Sequence, residues 1–273
     1  MVYYEIATMI IDSHTHVDLV GRNNALTTVD LLRSMDKAGI DISLVIANDI
    51  PSQAWQGISA TDIIAQAAGS ERIKVIGYIS VARNISSQLE LLQQQINAKK
   101  VVAIKLYPGY EDFLPQDERL WAVYDFCLKQ HVPAVFHTGY LMEGAAGKLR
   151  QAHPHNVSEI AGRYPDLSVV MAHCGSPWIK EAAHAIAKHA NLYVDLSGYF
   201  TEYAPISSEE RNDFIEDMAG FASVAGDFKK CLFGTDWPLY DQTEYLVAVQ
   251  ALPMTKEEKE LVLWRNAYRL FRL

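Results

Sequence analysis

The strongest constraint on the fold is a regular alternation of short apolar runs with segments of helical periodicity. Eight apolar runs have the length of a buried strand, and they cover residues 10–16, 42–48, 73–80, 101–106, 134–137, 168–173, 192–196 and 231–236. A helical segment follows each run; in the first segment, Leu31, Leu32, Met35 and Ala38 share one face. Because each helix carries the chain back to the starting edge of the sheet, the alternation predicts parallel strands.

The number of units favours a closed barrel. Eight strand–helix units fill a chain of 273 residues, and no stretch rich in Pro, Ser and Gly separates them. This predicts a single (β/α)8 TIM-barrel domain over residues 1–273. An open, doubly wound sheet is the alternative topology, but neither of the two glycine-rich nucleotide-binding motifs that often accompany such a sheet occurs in the chain.

The amino-acid composition limits the kinds of partner that the protein is expected to bind. The chain is 49% hydrophobic and 21% charged, which is typical of a protein with a large core. Its net charge of −9 argues against nucleic acid or an anionic membrane as a partner. The three cysteines (Cys127, Cys174 and Cys231) are far apart, as expected in a reducing compartment. We therefore expect a cytoplasmic protein that binds a small molecule, and aromatic residues near the strand ends are compatible with a homodimer.

Polar side chains recur at the point where the predicted strands end. In a barrel, these ends meet at one mouth, where active sites lie. The residues in this position are His14, His16, Lys105, His137, His173 and Asp236. His14 and His16 lie two positions apart on an extended strand and so point to the same side, which makes half of a zinc-type site. The other five histidines do not share this position.

Several phrases at these strand ends resemble those of a known family. They are IDSHTHVD, AIKLYPGY, VFHTG, VVMAHCGSPW, LYVDLSG and LFGTDWP, with NAYRLF near the C-terminus. The chain thereby resembles the amidohydrolase-related branch of the amidohydrolase superfamily, which also contains decarboxylases of the aminocarboxymuconate-semialdehyde type. The resemblance implies a metal-dependent (β/α)8 barrel. By position, it matches His14, His16, His137 and Asp236 to the metal ligands of the family, and His173 to its strand-six histidine.

The chemistry of these residues agrees with that implication. Three imidazoles and one carboxylate suit Zn²⁺, with Mn²⁺ as the alternative, and a bound ion lowers the pKa of water to about 7. We expect Asp236 to act as the base, and His173 to polarise the substrate carbonyl or donate a proton to the leaving group. Lys105 is expected to hold a substrate carboxylate. Its alternatives are a carboxylated lysine that bridges two metal ions and a simple counter-ion of Asp236.

Two reactions fit such a site. The first is hydrolysis of a small amide, lactone or ester by a metal-activated water, and the alternative is non-oxidative decarboxylation of a small carboxylated substrate. A barrel with a purely structural metal, or a binding protein, is disfavoured because such a site would not need every ligand at the mouth. Lys148 and Arg150 in the loop of residues 139–156 favour an acidic substrate. Four aromatic residues are expected to form the pocket wall: Tyr107, Tyr140, Trp178 and Trp237.

The sequence also predicts four local features. Thr28 is expected to cap the first helix, and Asp12 to be a structural hydrogen-bond acceptor rather than a ligand. The tripeptide of residues 153–155 is expected to form a surface turn. Cys174 is expected to pack in the core, pointing away from His173 along an extended strand.

Overall fold

A computed structural model describes residues 9–17, 26–51, 57–142 and 144–273 of the chain. Its eight parallel strands follow one another around the sheet in sequence order. They are β1 (Ile11–Thr15), β2 (Ile42–Ile46), β3 (Ile73–Tyr78), β4 (Val101–Leu106), β5 (Ala134–Phe136), β6 (Val169–Met171), β7 (Leu192–Asp195) and β8 (Cys231–Leu232). The predicted (β/α)8 TIM barrel is therefore confirmed.

Helices connect the strands on the outside of the barrel. They are α1 (Thr28–Ala38), α2 (Ala60–Gln66), α3 (Ile85–Asn97), α4 (Trp121–Gln130), α5 (Pro154–Arg163), α6 (Ile179–Lys188), α7 (Ser208–Ala225), α8 (Gln242–Gln250), α9 (Lys256–Glu260) and α10 (Asn266–Leu270). Short 3-10 turns occupy Glu118–Leu120, Leu149–Ala152 and Ala172–Gly175, and a π-helical turn occupies Leu261–Arg265. No helix in the described ranges is long and apolar enough to cross a membrane.

The barrel closes between β1 and the segment that follows β8. The Ser13 amide donates to the Phe233 carbonyl at 2.9 Å, and the Asp236 amide donates to the His14 carbonyl at 2.8 Å. Asp12 reinforces this seam from a fully buried position. Its carboxylate accepts hydrogen bonds from the Thr235 amide (3.0 Å), the Thr235 hydroxyl (2.7 Å) and the Gln242 side-chain amide (2.8 Å). Asp12 is thus the structural acceptor that the sequence predicts.

Every strand except β4 ends earlier than the sequence predicts, and the difference affects the candidate site at β5, β6 and β8. The chain leaves the extended conformation after Phe136, Met171 and Leu232. His173 consequently lies in a 3-10 turn with a φ of +61° rather than at a strand end, and Asp236 has a φ of +62°. Cys174 shares this left-handed turn, so the prediction that it extends away from His173 is wrong, although it does pack in the core. These turns bend the backbone so that polar side chains face the barrel mouth.

Two predicted helix starts also need correction. The N-cap of α1 is Thr27 and not Thr28, because Thr27 forms a reciprocal capping box with Asp30. Residues 153–155 are not a surface turn but the beginning of α5. Pro154 occupies the first turn, where its fixed φ suits a helix, and the His153 ring accepts a hydrogen bond from the His155 amide at 3.1 Å.

Loss of the Asp12 carboxylate should destabilise the closing seam. In an Asp12→Ala variant, the buried donors of Thr235 and Gln242 lose their acceptor, which should lower the free energy of unfolding by about 3 kcal/mol. Urea denaturation followed by circular dichroism measures this change. The exposed residue Asp166 offers a matched control, and Asp166→Ala should stay within about 0.5 kcal/mol of the parent protein. Equal effects of the two substitutions would contradict the structural role of Asp12.

Candidate active site

His14 and His16 extend from the end of β1 into the barrel mouth, and both side chains are buried. The Nδ1 atom of His14 is 2.9 Å from the Asp195 carboxylate, and that of His16 is 3.2 Å from the Ile46 carbonyl oxygen. A carboxylate and a carbonyl only accept hydrogen bonds, so each Nδ1 carries the ring proton. Burial lowers the pKa of His16 and keeps it neutral. With the proton on Nδ1, the neutral form of each ring presents a lone pair at Nε2.

Asp236 faces these two lone pairs from the other side of the closing seam. Its Oδ1 atom lies 3.6 Å from Nε2 of His14 and 3.3 Å from Nε2 of His16. Among the described residues, these three side chains form a buried group whose ligand atoms all lie within 4.8 Å of one another. Two lone pairs and an anionic oxygen repel one another unless a positive charge lies between them. The donor set of two imidazole nitrogens and one carboxylate oxygen fits a divalent ion such as Zn²⁺.

Asp195, at the end of β7, is a site residue that the sequence interpretation missed. It orients two histidines. Its Oδ2 atom accepts the hydrogen bond from His14, and its Oδ1 atom accepts from the backbone amides of His173 (3.0 Å) and Ser197 (3.1 Å) and from the Ser197 hydroxyl (2.5 Å). A carboxylate behind a histidine fixes its tautomer and strengthens it as a ligand. Asp195 is the last residue of β7, whereas the predicted strand runs one residue further to Leu196, which is why the sequence did not mark Asp195 as a strand-end residue.

His173 lies beside this group, held by its left-handed turn. Its Nδ1 atom is 3.0 Å from the Ser197 hydroxyl, which already donates to Asp195, so His173 must be the donor in this contact. Its Nε2 atom is left unprotonated. Burial and the neighbouring His14 lower the pKa of His173 to about 3, so that the ring is neutral. Gly198 leaves room for the ring, since a Cβ atom there would lie 2.5 Å from Nδ1 of His173.

His137 enters the same pocket but in a different tautomer. Its Nε2 atom is 2.9 Å from the Tyr140 carbonyl oxygen and must donate to it, which leaves the lone pair on Nδ1. Its ring centroid is 5.0 Å from that of His173. Burial, and next the neighbouring His173 ring, holds the pKa of His137 well below its usual range. His137 does not belong to the close group of ligand atoms formed by His14, His16 and Asp236.

Lys105 projects from β4 into the pocket and is fully buried. Its Nζ atom has no hydrogen-bond partner among the described residues and lies 5.2 Å from the centre of the Tyr107 ring. No described carboxylate lies within ion-pair distance, which argues against a simple counter-ion of Asp236. Burial lowers the pKa of Lys105 to about 8, while the charges of Asp195 and Asp236 act in the opposite direction. A buried cation without a partner is costly and favours an anionic ligand.

The pocket above these residues has a volume of about 170 Å³. Of the four aromatic residues expected in its wall, Tyr107 and Tyr140 line it. Trp178 and Trp237 are not among the described lining residues, and Trp178 instead packs on His153 with ring centroids 4.5 Å apart. The loop of residues 139–156 contributes Tyr140, Leu141 and Met142. Its cations Lys148 and Arg150 do not line the pocket, so the expected acidic substrate depends on Lys105 alone among the described lysines and arginines.

The fold and this group of side chains define a (β/α)8 barrel with a candidate metal centre at its mouth. A family model described as amidohydrolase matches residues 11–273. The chain therefore belongs to the amidohydrolase family, as the sequence motifs suggested. Members of this superfamily are metal-dependent enzymes and include both hydrolases and decarboxylases. No curated protein matches the chain.

Solved structures share the fold over almost the whole chain. A probable 2-pyrone-4,6-dicarboxylic acid hydrolase from Acinetobacter baumannii, with citric acid bound, is 16% identical, with a TM-score of 0.66 over 97% of this chain and 99% of that chain. An amidohydrolase from Burkholderia multivorans with bound zinc is 16% identical, with a TM-score of 0.72 over 97% and 99%. A 5-carboxyvanillate decarboxylase from Sphingomonas paucimobilis is 15% identical, with a TM-score of 0.69 over 98% and 100%. At these identities, the likeness establishes the fold.

Proposed function

We propose that this protein is a metal-dependent hydrolase of a small carbonyl compound such as an amide, a lactone or an ester. The observation that carries the proposal is the convergence of the two Nε2 lone pairs of His14 and His16 on the Asp236 carboxylate. These three atoms would hold the ion, with His137 as a further ligand through Nδ1. Zn²⁺ is the first candidate, supported by the zinc in the Burkholderia multivorans relative, and Mn²⁺ is the second.

The chemistry that the ion supplies when bound is Lewis acidity, which polarises a carbonyl oxygen and makes water more acidic. The protein side chains then move the proton. As water adds to the carbonyl carbon, Asp236 accepts the proton that water gives up, and the C–N or C–O bond to the leaving group breaks. Oδ2 of Asp236 is the suitable acceptor, because Oδ1 faces the two histidines and Oδ2 lies on the side of His173, 3.9 Å from its Nδ1.

His173 acts first as a proton acceptor in this scheme. Its only ring proton is held by Ser197, so it cannot polarise a carbonyl or donate through Nε2 before it has taken up a proton. The proton that Asp236 takes up passes to the leaving group, directly or by way of Nε2 on the substrate side, which balances the reaction. Asp195 is the positioning residue here, since it holds the His173 amide and the Ser197 hydroxyl in place.

Lys105 is proposed to bind an anionic oxygen of the substrate. Its burial and its lack of a partner among the described residues support this role. A carboxylated Lys105 that bridges two metal ions would need a second group of ligands around it. Among the described residues, the only other close group consists of His14, His173 and Asp195, in which His14 and Asp195 are already joined by a hydrogen bond. A mononuclear site is therefore the better interpretation.

Decarboxylation is the second candidate, and the buried Lys105 ammonium is the observation that favours it. A cation at the base of the pocket suits a substrate carboxylate, and one structural relative is a 5-carboxyvanillate decarboxylase. In that reaction, the C–C bond to the carboxylate breaks, CO₂ leaves, and the electron pair remains on carbon. His173 or Asp236, after taking up a proton from solvent, would then deliver it to that carbon.

Metal binding should depend on the close group of His14, His16 and Asp236, and on Asp195, which orients His14. The protein, stripped with a chelator and titrated with Zn²⁺ against a chromophoric competitor, should bind one equivalent. His14→Ala and Asp236→Asn should each weaken binding at least about 100-fold, because each removes a ligand. Asp195→Asn should weaken it about 10- to 100-fold by releasing the tautomer of His14. His137→Ala should have a smaller effect, since His137 lies outside the close group.

His155→Ala is the matched control for this titration. His155 pairs with Glu159 on the exposed surface of α5, 3.0 Å away, and its removal should leave the Zn²⁺ affinity unchanged. Binding of less than about a tenth of an equivalent by the parent protein would contradict the proposed metal centre.

The two reactions can be separated by their products. The zinc-loaded protein should be assayed in parallel on lactones, esters, amides and aromatic carboxylic acids, with acid release and CO₂ recorded together. We expect acid release without CO₂, and a loss in kcat of about 100-fold or more for Asp236→Asn. Lys105→Met should mainly raise KM for substrates that carry a carboxylate. Release of CO₂ without hydrolysis would replace the hydrolase with the decarboxylase.

A further inference from the structure

The charges of the pocket are separated between its base and its rim. Among the described residues that line it, Lys105 is the only lysine or arginine, and it is fully buried at the base. The lining carboxylates are Asp236, in the candidate metal centre, and Glu202, in the loop between β7 and α7. Glu202 is solvent-exposed at the outer end. A ligand that fills the pocket therefore meets a cation at its inner end and an anion at its outer end.

The region between these two ends is aromatic and apolar. Its walls are formed by Tyr107, Tyr110, Tyr140, Leu141, Leu239 and Tyr240. The volume of about 170 Å³ resembles that of a cavity known to accept a benzene ring, about 150 Å³. Flat aromatic walls around a space of this size favour a substrate with a single ring.

Glu202 has no ion pair or hydrogen bond with any described residue that would neutralise it. Partial desolvation at the pocket rim, together with the charge of Asp236, raises the pKa of Glu202, so its carboxylate experiences the negative charge of Asp236. The pKa of Tyr240 and that of Tyr110 are both raised, mainly by burial and by the charge of Asp236. The charge of Glu202 makes a smaller contribution in the same direction. Glu202 thus lies close enough to the pocket walls to act on a bound ligand.

We infer that Glu202 is a specificity-determining residue that selects single-ring monocarboxylates and rejects dicarboxylates. The inference rests on the proposed role of Lys105 in the hydrolase. The substrate carboxylate pairs with Lys105 at the base, and the outer end of the ring carries a hydrogen-bond donor or a cation that faces Glu202. A second carboxylate at that end would meet Glu202 at a rim where no described lysine or arginine offsets the repulsion. Like charges opposed at a binding site are a common source of discrimination.

The test is a series of binding measurements by calorimetry on the zinc-loaded protein. The probes are benzoate, isophthalate, terephthalate and 4-(aminomethyl)benzoate, which share a ring and differ in the charge at its far end. The parent protein should bind 4-(aminomethyl)benzoate at least as tightly as benzoate, and the better dicarboxylate about tenfold more weakly than benzoate. Glu202→Gln should remove most of this tenfold difference and change the affinity for benzoate less than that for the dicarboxylates.

Two further variants make the result specific. Glu209→Gln removes the same charge from an exposed position in the first turn of α7 that does not line the pocket, and it should leave the order of the probes unchanged. Lys105→Met should weaken all four probes, because each places a carboxylate at the base.

Several outcomes would overturn the inference. They are equal binding of benzoate and both dicarboxylates by the parent protein, an equal effect of Glu202→Gln and Glu209→Gln, or no binding of benzoate at millimolar concentration. These outcomes are distinguishable from failure of the proposed hydrolase, which would appear as loss of Zn²⁺ binding or as the absence of hydrolytic turnover. A hydrolase that binds dicarboxylates as tightly as benzoate would retain its proposed function and lose this specificity.

Discussion

The structure of the barrel mouth depends on one electrostatic requirement. With the ring protons on Nδ1, the Nε2 lone pairs of His14 and His16 face a carboxylate oxygen of Asp236 at 3.6 and 3.3 Å inside a buried pocket. Such an arrangement is unfavourable unless a cation occupies the space between the atoms. The hydrogen bonds of Nδ1 to Asp195 and to Ile46 fix this orientation, because they place the ring protons on the opposite side. The proposed metal centre follows from these contacts.

The fold brings these atoms together through its closing seam. His14 and Asp236 belong to opposite ends of the chain, and they meet because the Asp236 amide donates to the His14 carbonyl while Asp12 holds Thr235 beside β1. The left-handed backbone at Asp236 and His173 then turns each side chain toward the barrel axis. Left-handed conformations cost free energy for residues other than glycine, and they persist where the surrounding structure fixes them, often at functional sites.

Part of the fold and part of the candidate site could be predicted from the sequence. The barrel was predictable because the alternation of strand and helix periods repeats eight times. His14, His16 and Asp236 were predictable because each lies at the end of a predicted strand, and the strand ends meet at the barrel mouth. Asp195 ends β7 in the structure, but the sequence predicts a strand that continues through Leu196, so the strand-end rule did not select Asp195. The Nε2 contact of His137 depends on the conformation of the loop at Tyr140, which no periodicity encodes. The left-handed turn at His173 likewise depends on tertiary contacts, including the space left by Gly198.

The pocket also carries opposite charges at its base and at its rim. Lys105 lies on a strand whose six residues are all buried, and a cation in such a position requires either a partner or a ligand. No described residue supplies the partner, so the base of the pocket is suited to an anion, while Glu202 gives the rim the opposite charge. The proposed chemistry at the metal centre and the proposed selection at the rim therefore involve different residues. Loops at the mouth of a barrel can change specificity in this way without disturbing the catalytic group.

The most direct test of the central claim is X-ray diffraction at the zinc absorption edge from crystals grown with Zn²⁺. The account predicts one strong anomalous peak, located between Nε2 of His14, Nε2 of His16 and the carboxylate of Asp236. A peak only at another position, such as the surface histidines of α5, or no peak within the barrel mouth, would contradict it.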